Sequence, residues 1–91
     1  MQVRYTRLAI SDLSQAYGYI EADSPQNARA IGKRIEKSID TLALYPLLGK
    51  QGRVEGTREF LVTGTPFIII YRAKKDVLQI LSILHTSRKY P

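Results

Sequence analysis

Cysteine is absent from the 91 residues, and histidine and methionine occur once each. Without cysteine there is neither a disulfide framework nor a thiolate metal site. One histidine adds too few ligands for zinc, and no phosphate-cradling loop of the Walker type is present, so neither a metal nor a cofactor is expected. No apolar run approaches the roughly 18 residues that span a bilayer. The opening Met1-Gln2-Val3-Arg4-Tyr5 lacks the apolar segment of a signal peptide. The expectation is a cytoplasmic protein with no membrane partner. Repeats and low-complexity tracts are also missing.

What is present suits one small domain over residues 1–91, since 10.3 kDa and 44% hydrophobic residues allow a single modest core. The formal net charge of +6 is unevenly placed. Residues 1–45 hold six Lys/Arg against five Asp/Glu, whereas residues 46–91 hold eight against three. A basic C-terminal half points to an acidic partner, either nucleic acid or an acidic protein segment; the alternative is charge that serves solubility alone.

The chain is organised around Pro66-Phe67-Ile68-Ile69-Ile70-Tyr71-Arg72, an apolar run that reads as a strand buried on both faces. Phe67, Ile69 and Tyr71 fill one face, Ile68 and Ile70 the other. Before it, Gln2 to Tyr5 is a short strand, and Thr6 stands where a helix N-cap belongs. Ala9, Leu13, Ala16, Tyr17 and Ile20 then recur at helical spacing over about Arg7 to Ala22. Ser24-Pro25 starts a second, longer helix whose stripe is Ala28, Ile31, Ile35, Ile39 and Leu42, and which ends at Tyr45-Pro46. So short a connection makes an antiparallel helical hairpin.

The segment Gly49-Lys50-Gln51-Gly52-Arg53-Val54-Glu55-Gly56 reads as a loop, and no helix follows it to form an anion site. Three strands come next, Thr57 to Val62, Phe67 to Ala73 and Val77 to Leu84, with turns short enough to make neighbours antiparallel. The predicted order is β-α-α-β-β-β, an α+β fold with an N-terminal helical hairpin packed on a small, mainly antiparallel sheet.

Gly56-Thr57-Arg58-Glu59-Phe60, Pro66 to Arg72, and Ile83-Leu84-His85-Thr86-Ser87-Arg88-Lys89-Tyr90-Pro91 together resemble three signature segments of the RelE/ParE superfamily of bacterial toxins. The helix from Ala28 to Leu42, leading into Tyr45-Pro46-Leu47-Leu48-Gly49, is similar to that family's helix and its P-x-x-G exit. The resemblance covers essentially the whole chain, with Tyr90 where the family's closing segment commonly has tryptophan. It implies the toxin of a type II toxin–antitoxin module for plasmid stabilisation, bound and neutralised by a cognate antitoxin in a hetero-oligomer. ParE-like members act on DNA gyrase and need not be enzymes. RelE-like members enter the ribosome and cut messenger RNA as endonucleases (mRNA interferases). The helical hairpin and the Gly-Thr-Arg-Glu-Phe segment are closer to the ParE-like branch.

Each charged or titratable residue carries more than one reading. RNA cleavage through a 2′-hydroxyl needs a proton acceptor, a proton donor and cations on the phosphate. Arg58, His85, Arg88 and Tyr90 form the catalytic group that a RelE-like toxin would use, with Glu59 as a further acid/base candidate. His85 also reads as a structural histidine at a strand end, and Arg58 as a solvated strand residue. Lys50, Arg53, Arg58, Arg72, Arg88, Lys89 and Tyr90 are the candidate surface for target or antitoxin. Arg72 has the alternative of an ion pair with Glu59, and the tail that of an ordinary terminus. A plain nucleic-acid-binding module is a third class, disfavoured because no exposed aromatic ladder accompanies the basic residues.

Overall fold

The computed structural model describes residues 1–87, the side chain of Tyr19 excepted. Within them, β1 (Gln2–Tyr5) leads through Thr6 into α1 (Arg7–Asp23), and α2 (Pro25–Leu44) doubles back. Four strands follow: β2 (Lys50–Gln51), β3 (Arg58–Leu61), β4 (Phe67–Lys74) and β5 (Val77–His85). This is the predicted α+β architecture with one addition. The glycine-rich segment read as a loop contains β2, which pairs antiparallel with β3 through Lys50–Glu59 and Gln51–Arg58. Two residues carry no periodicity, so nothing local could announce this strand.

The helix ends follow from their caps. Thr6 is extended, with φ −73° and ψ 164°, and its Oγ1 accepts from the Ala9 N–H at 3.0 Å. Ser24 closes α1 and opens α2: its N–H donates to the Ile20 carbonyl at 2.9 Å, and its Oγ accepts from the Asn27 N–H at 3.3 Å. Pro25 then occupies the first helical turn, where its missing N–H costs nothing. With one residue between them the helices must turn back on each other. Gly32 permits a close approach there, because a side chain at that position would run into the ring of Tyr17.

Sheet order among the described residues is β1-β5-β4-β3-β2, antiparallel throughout except that β1 runs parallel to β5. β4 is central, as its double-sided apolar run requires. Phe67, Ile69 and Tyr71 join Ala9 of α1 and Ile35, Ile39 and Leu42 of α2 in the core. Leu42, Ile69, Leu78 and Ile80 are fully enclosed, each contributing about 1.5–3 kcal/mol relative to exposure.

One irregularity changes the facing of β5. Ile70 sits opposite Ser82 but Tyr71 sits opposite Ile80, so Leu81 is an extra residue in the ladder. Leu78 and Ile80 before this bulge, and Ile83 after it, all reach the same core. The β1 ladder stops at Ile80, and the start of α1 takes over the edge of β5 beyond it. Thr6 donates its N–H to the Ile80 carbonyl at 3.0 Å and its hydroxyl to the Leu81 carbonyl at 2.7 Å. Asp12 Oδ2 accepts from the Ile83 N–H at 3.0 Å and from Ser82 Oγ at 2.7 Å. Backbone groups that would otherwise form an open sheet edge are thereby satisfied.

Candidate functional site

Strand register places Arg58 opposite Tyr71, and the exit of α2 runs past both. Tyr71 is fully buried, and its hydroxyl donates to the Pro46 carbonyl at 2.7 Å while accepting from the Gly49 N–H at 2.9 Å. Arg58 Nη1 donates to the Gly49 carbonyl at 2.7 Å and, more weakly, to the Leu47 carbonyl at 3.4 Å. Two side chains from the sheet therefore pin the backbone of the 46–49 turn. Glycine is required at position 49, since a Cβ there would lie 2.6 Å from the Tyr71 hydroxyl and 2.9 Å from the Glu59 carbonyl oxygen. Burial pushes the Tyr71 hydroxyl above its ordinary pKa of 10.0, partly offset by the Gly49 N–H and the charge of Arg58. It therefore stays protonated, and a donor to Pro46, at neutral pH.

The end of α2 and the pinned turn after it display apolar side chains to solvent. Leu44 is 74% exposed and Leu47 72%, and Tyr45 and Leu48 beside them are also exposed. Next to Leu47 lies a cleft of about 470 Å³ whose lining includes Val54, Glu55, Thr57, Arg58 and Ala73. A smaller cleft of about 320 Å³ runs past Leu48, Lys50, Leu61 and Ile68. Between them the 50–57 segment is tied down. Its Thr57 hydroxyl donates to the Val54 carbonyl at 2.6 Å, the Gly52 N–H donates to the Thr57 carbonyl at 2.8 Å, and Glu59 Oε2 accepts from the Arg53 N–H at 3.1 Å.

The predicted site residues divide between the two faces of the sheet. Arg58 shares the helix side with Tyr71, whereas Lys50 shares the opposite face with Glu59 through their pairing. Arg72, opposite Gln79, is also on that outer face. The anticipated ion pair between Arg72 and Glu59 does not form. Register puts Ile70 opposite Glu59, the carboxylate is used by the Arg53 backbone, and among the described residues Arg72 has no hydrogen-bond or ion-pair partner.

His85 ends β5 opposite Phe67, ring edge to ring face, with centroids 5.3 Å apart and planes at 88°. Its Nδ1 accepts from the Ser87 N–H at 3.1 Å, with Ser87 Oγ 2.7 Å away. An N–H donating to Nδ1 places the proton of the neutral ring on Nε2. Arg58 and His85 stand at opposite ends of the sheet. His85 is level with Phe67 and so with Val62, four residues beyond Arg58, or about 13 Å along the strands at ~3.3 Å per residue, and two strands across. Arg88, Lys89 and Tyr90 lie outside the described residues.

Sequence reasoning missed the roles of Tyr71, Asp12 and Glu59. A tyrosine closing an apolar run is a signal of its own, because a buried phenol needs a partner for its hydroxyl. Asp12 and Glu59 had no comparable signal, since each serves backbone groups that only the folded chain brings near.

Comparison with known proteins gives this geometry its setting. A family model described as the ParE toxin of the type II toxin–antitoxin system, parDE, matches residues 3–90. The protein Y4kP of Sinorhizobium fredii is 38% identical over 99% of this chain and 93% of its own length. Toxin RelE2 of Caulobacter vibrioides is 32% identical over 96% of this chain and 97% of its own length. A solved structure of the chromosomal ParDE toxin–antitoxin system from P. aeruginosa superimposes with a TM-score of 0.80 at 27% identity, covering 93% of this chain and 95% of that one. A match along nearly the whole chain, together with the α+β architecture it shares with that structure, fixes the assignment, and with it an antitoxin as partner: the chain belongs to the ParE toxin family of type II toxin–antitoxin systems.

Proposed function

We propose that this toxin arrests growth in the cytoplasm by binding a protein target, DNA gyrase, and that its antitoxin neutralises it in a hetero-oligomeric complex. The observation that carries this reading is the separation of Arg58 from His85. Cleaving RNA requires an acid, a base and a phosphate clamp around a single phosphate. Of the four candidates, the two among the described residues, Arg58 and His85, stand at opposite ends of the sheet, and the Arg58 guanidinium is engaged by the Gly49 and Leu47 carbonyls. What surrounds Arg58 is exposed apolar surface, which suits protein better than polynucleotide.

A second reading, ribosome-dependent cleavage of messenger RNA, draws on the 32% identity to a protein named toxin RelE2. Two assays of the purified protein separate the readings. Gyrase supercoiling would be inhibited with end-labelled messenger RNA on translating ribosomes left intact. Site-specific cuts that vanish in His85→Ala or Tyr90→Phe, with supercoiling unaffected, would sink the gyrase reading.

A further inference from the structure

The face of the sheet turned away from the helices carries a grid of cations near the β4–β5 turn. Strand register lines up Arg4, Gln79 and Arg72 across β1, β5 and β4, with Gln2, Val77 and Lys74 in the next row. Their sequence neighbours fix which way they point. Val3, Leu78, Ile80, Tyr71 and Ala73 all meet the helix-side core, so Arg4, Gln79 and Arg72 face outward, as does Lys74 two residues on. Lys75 stands in the turn, and with Arg72, Lys74, Val77 and Gln79 it lines a cleft of about 380 Å³. None of Arg4, Arg72, Lys74 and Lys75 has a hydrogen-bond or ion-pair partner among the described residues. We propose that this face is a docking surface for the phosphate backbone of duplex DNA.

Charge and the lack of apolar anchors fix the occupant. In these two rows and the turn, the four cations face one acid, Asp76, which forms no ion pair with them. Glu59, further along the outer face, is buried and accepts from the Arg53 N–H. An acidic protein segment fits poorly here, because protein interfaces depend on buried apolar and aromatic anchors and are depleted in lysine. Between these cations stand only Gln2, Gln79 and a half-buried Val77, whereas the exposed apolar side chains of Leu44, Leu47, Leu48 and Leu61 lie elsewhere. Phosphates need no such anchor, and a duplex presents one charge per about 1.7 Å of its axis. Arg4 and Arg72 are two strand spacings apart, about 10 Å, and Arg72 and Lys74 two residues apart, about 7 Å, so the grid meets several phosphates at once. A single strand would call for stacking aromatics, which these rows lack. Like charge keeps a second copy of this face away. The choice of DNA rests on the gyrase reading, since an enzyme that supercoils DNA brings a duplex to any protein bound to it.

The test is binding of the purified protein to a fluorescein-labelled DNA duplex of arbitrary sequence, followed by anisotropy over a range of salt concentrations. Wild type is compared with an outer-face variant, Arg4→Gln/Arg72→Gln/Lys74→Gln, and with a variant of equal charge loss on the exposed side of α2, Arg29→Gln/Lys33→Gln/Lys37→Gln. If the outer-face triple loses the wild-type circular dichroism spectrum, the exposed pair Arg4→Gln/Lys74→Gln decides. The outer-face variant should bind about tenfold or more weakly at ~0.1 M salt, and its slope of log affinity against log salt should be shallower by roughly 2–3. The α2 variant should stay within about threefold of wild type. Equal losses in the two variants would mean that net charge alone acts, and would overturn the assignment, as would a wild-type protein that does not bind the duplex. An RNA duplex of the same sequence bound more tightly than DNA overturns the choice of DNA. An outer-face variant that keeps its duplex affinity but loses the antitoxin complex gives the face to the antitoxin. Gyrase supercoiling measured in parallel separates this surface from the reading it builds on. A protein that binds duplex through this face but leaves gyrase untouched removes the gyrase reading alone, and one that inhibits gyrase without binding duplex removes the surface alone.

Discussion

The hydroxyl of Tyr71 and the backbone N–H of Gly49, 22 residues apart in sequence, meet at 2.9 Å in the buried space beneath the exit of α2. The same hydroxyl closes on Pro46 at 2.7 Å, so one oxygen fixes both ends of the turn. Tyr71→Phe keeps the ring in the core but leaves the Gly49 N–H and the Pro46 carbonyl without that partner. The expected cost is about 1–3 kcal/mol in urea denaturation. Faster hydrogen exchange at the Gly49 amide should accompany it, and an unchanged amide would refute the link. Gly49→Ala should be at least as harmful, because its methyl group meets both the Tyr71 hydroxyl and the Glu59 backbone.

Tyr71 also sets an alkaline limit. Burial raises its pKa above 10.0 in the folded chain, and the same cause, followed by the nearby Asp40 and Glu36 charges, raises that of Tyr5. Around and above pH 10 the unfolded chain loses these protons first, so it binds fewer than the folded one and stability falls as pH rises. The contribution is fully present below pH 10. Melting temperature should decline above that pH, and the decline should be shallower in Tyr71→Phe. Parallel curves for the two proteins would contradict this assignment.

Asp12 holds the bulge of β5 through two bonds to one oxygen, from Ser82 Oγ and the Ile83 N–H. Asp12→Ala leaves Ile83 N–H without its acceptor and should cost about 1–3 kcal/mol. Asp12→Asn retains an amide oxygen that can accept the same bonds, so its loss should be clearly smaller. Equal losses in the two variants would mean that the charge, not the acceptor geometry, matters. For a chain of this length each kcal/mol corresponds to roughly 4–8 °C in melting temperature, well within calorimetric reach.

His85 offers a spectroscopic check. With the Ser87 N–H donating to Nδ1, the neutral ring should carry its proton on Nε2. Long-range nitrogen–proton NMR correlations distinguish the tautomers directly. His85→Ala should lose the edge-to-face contact with Phe67, at a cost of about 0.5–1.5 kcal/mol in urea denaturation.

The parts of the fold whose cause is local could be read from neighbouring residues. Both helices begin at the residues whose hydroxyls cap them, Thr6 and Ser24, and α2 ends at the Tyr45-Pro46 predicted for it. β4 was legible as the central strand from its unbroken apolar run, and the alternation of Phe67, Ile69 and Tyr71 against Ile68 and Ile70 holds in the folded chain. The three-stranded meander followed from short turns.

The facing of β5 and the shape of the turn after α2 depend instead on contacts between distant residues. Strand periodicity assigns faces by counting in twos, and the extra residue at Leu81 shifts that count, bringing Ile83 into the core and His85 against Phe67. Nothing near Leu81 in sequence signals the bulge, because the groups that stabilise it, Thr6 and Asp12, lie about seventy residues earlier. β2 exists because the edge of β3 is there to pair with it. Arg58, read as a phosphate clamp, a target or antitoxin contact or a solvated strand residue, is a brace for Gly49 and Leu47. Hydrophobic period and capping are written into neighbouring residues, whereas register, bulges and hydrogen bonds across the fold depend on which distant groups finally meet.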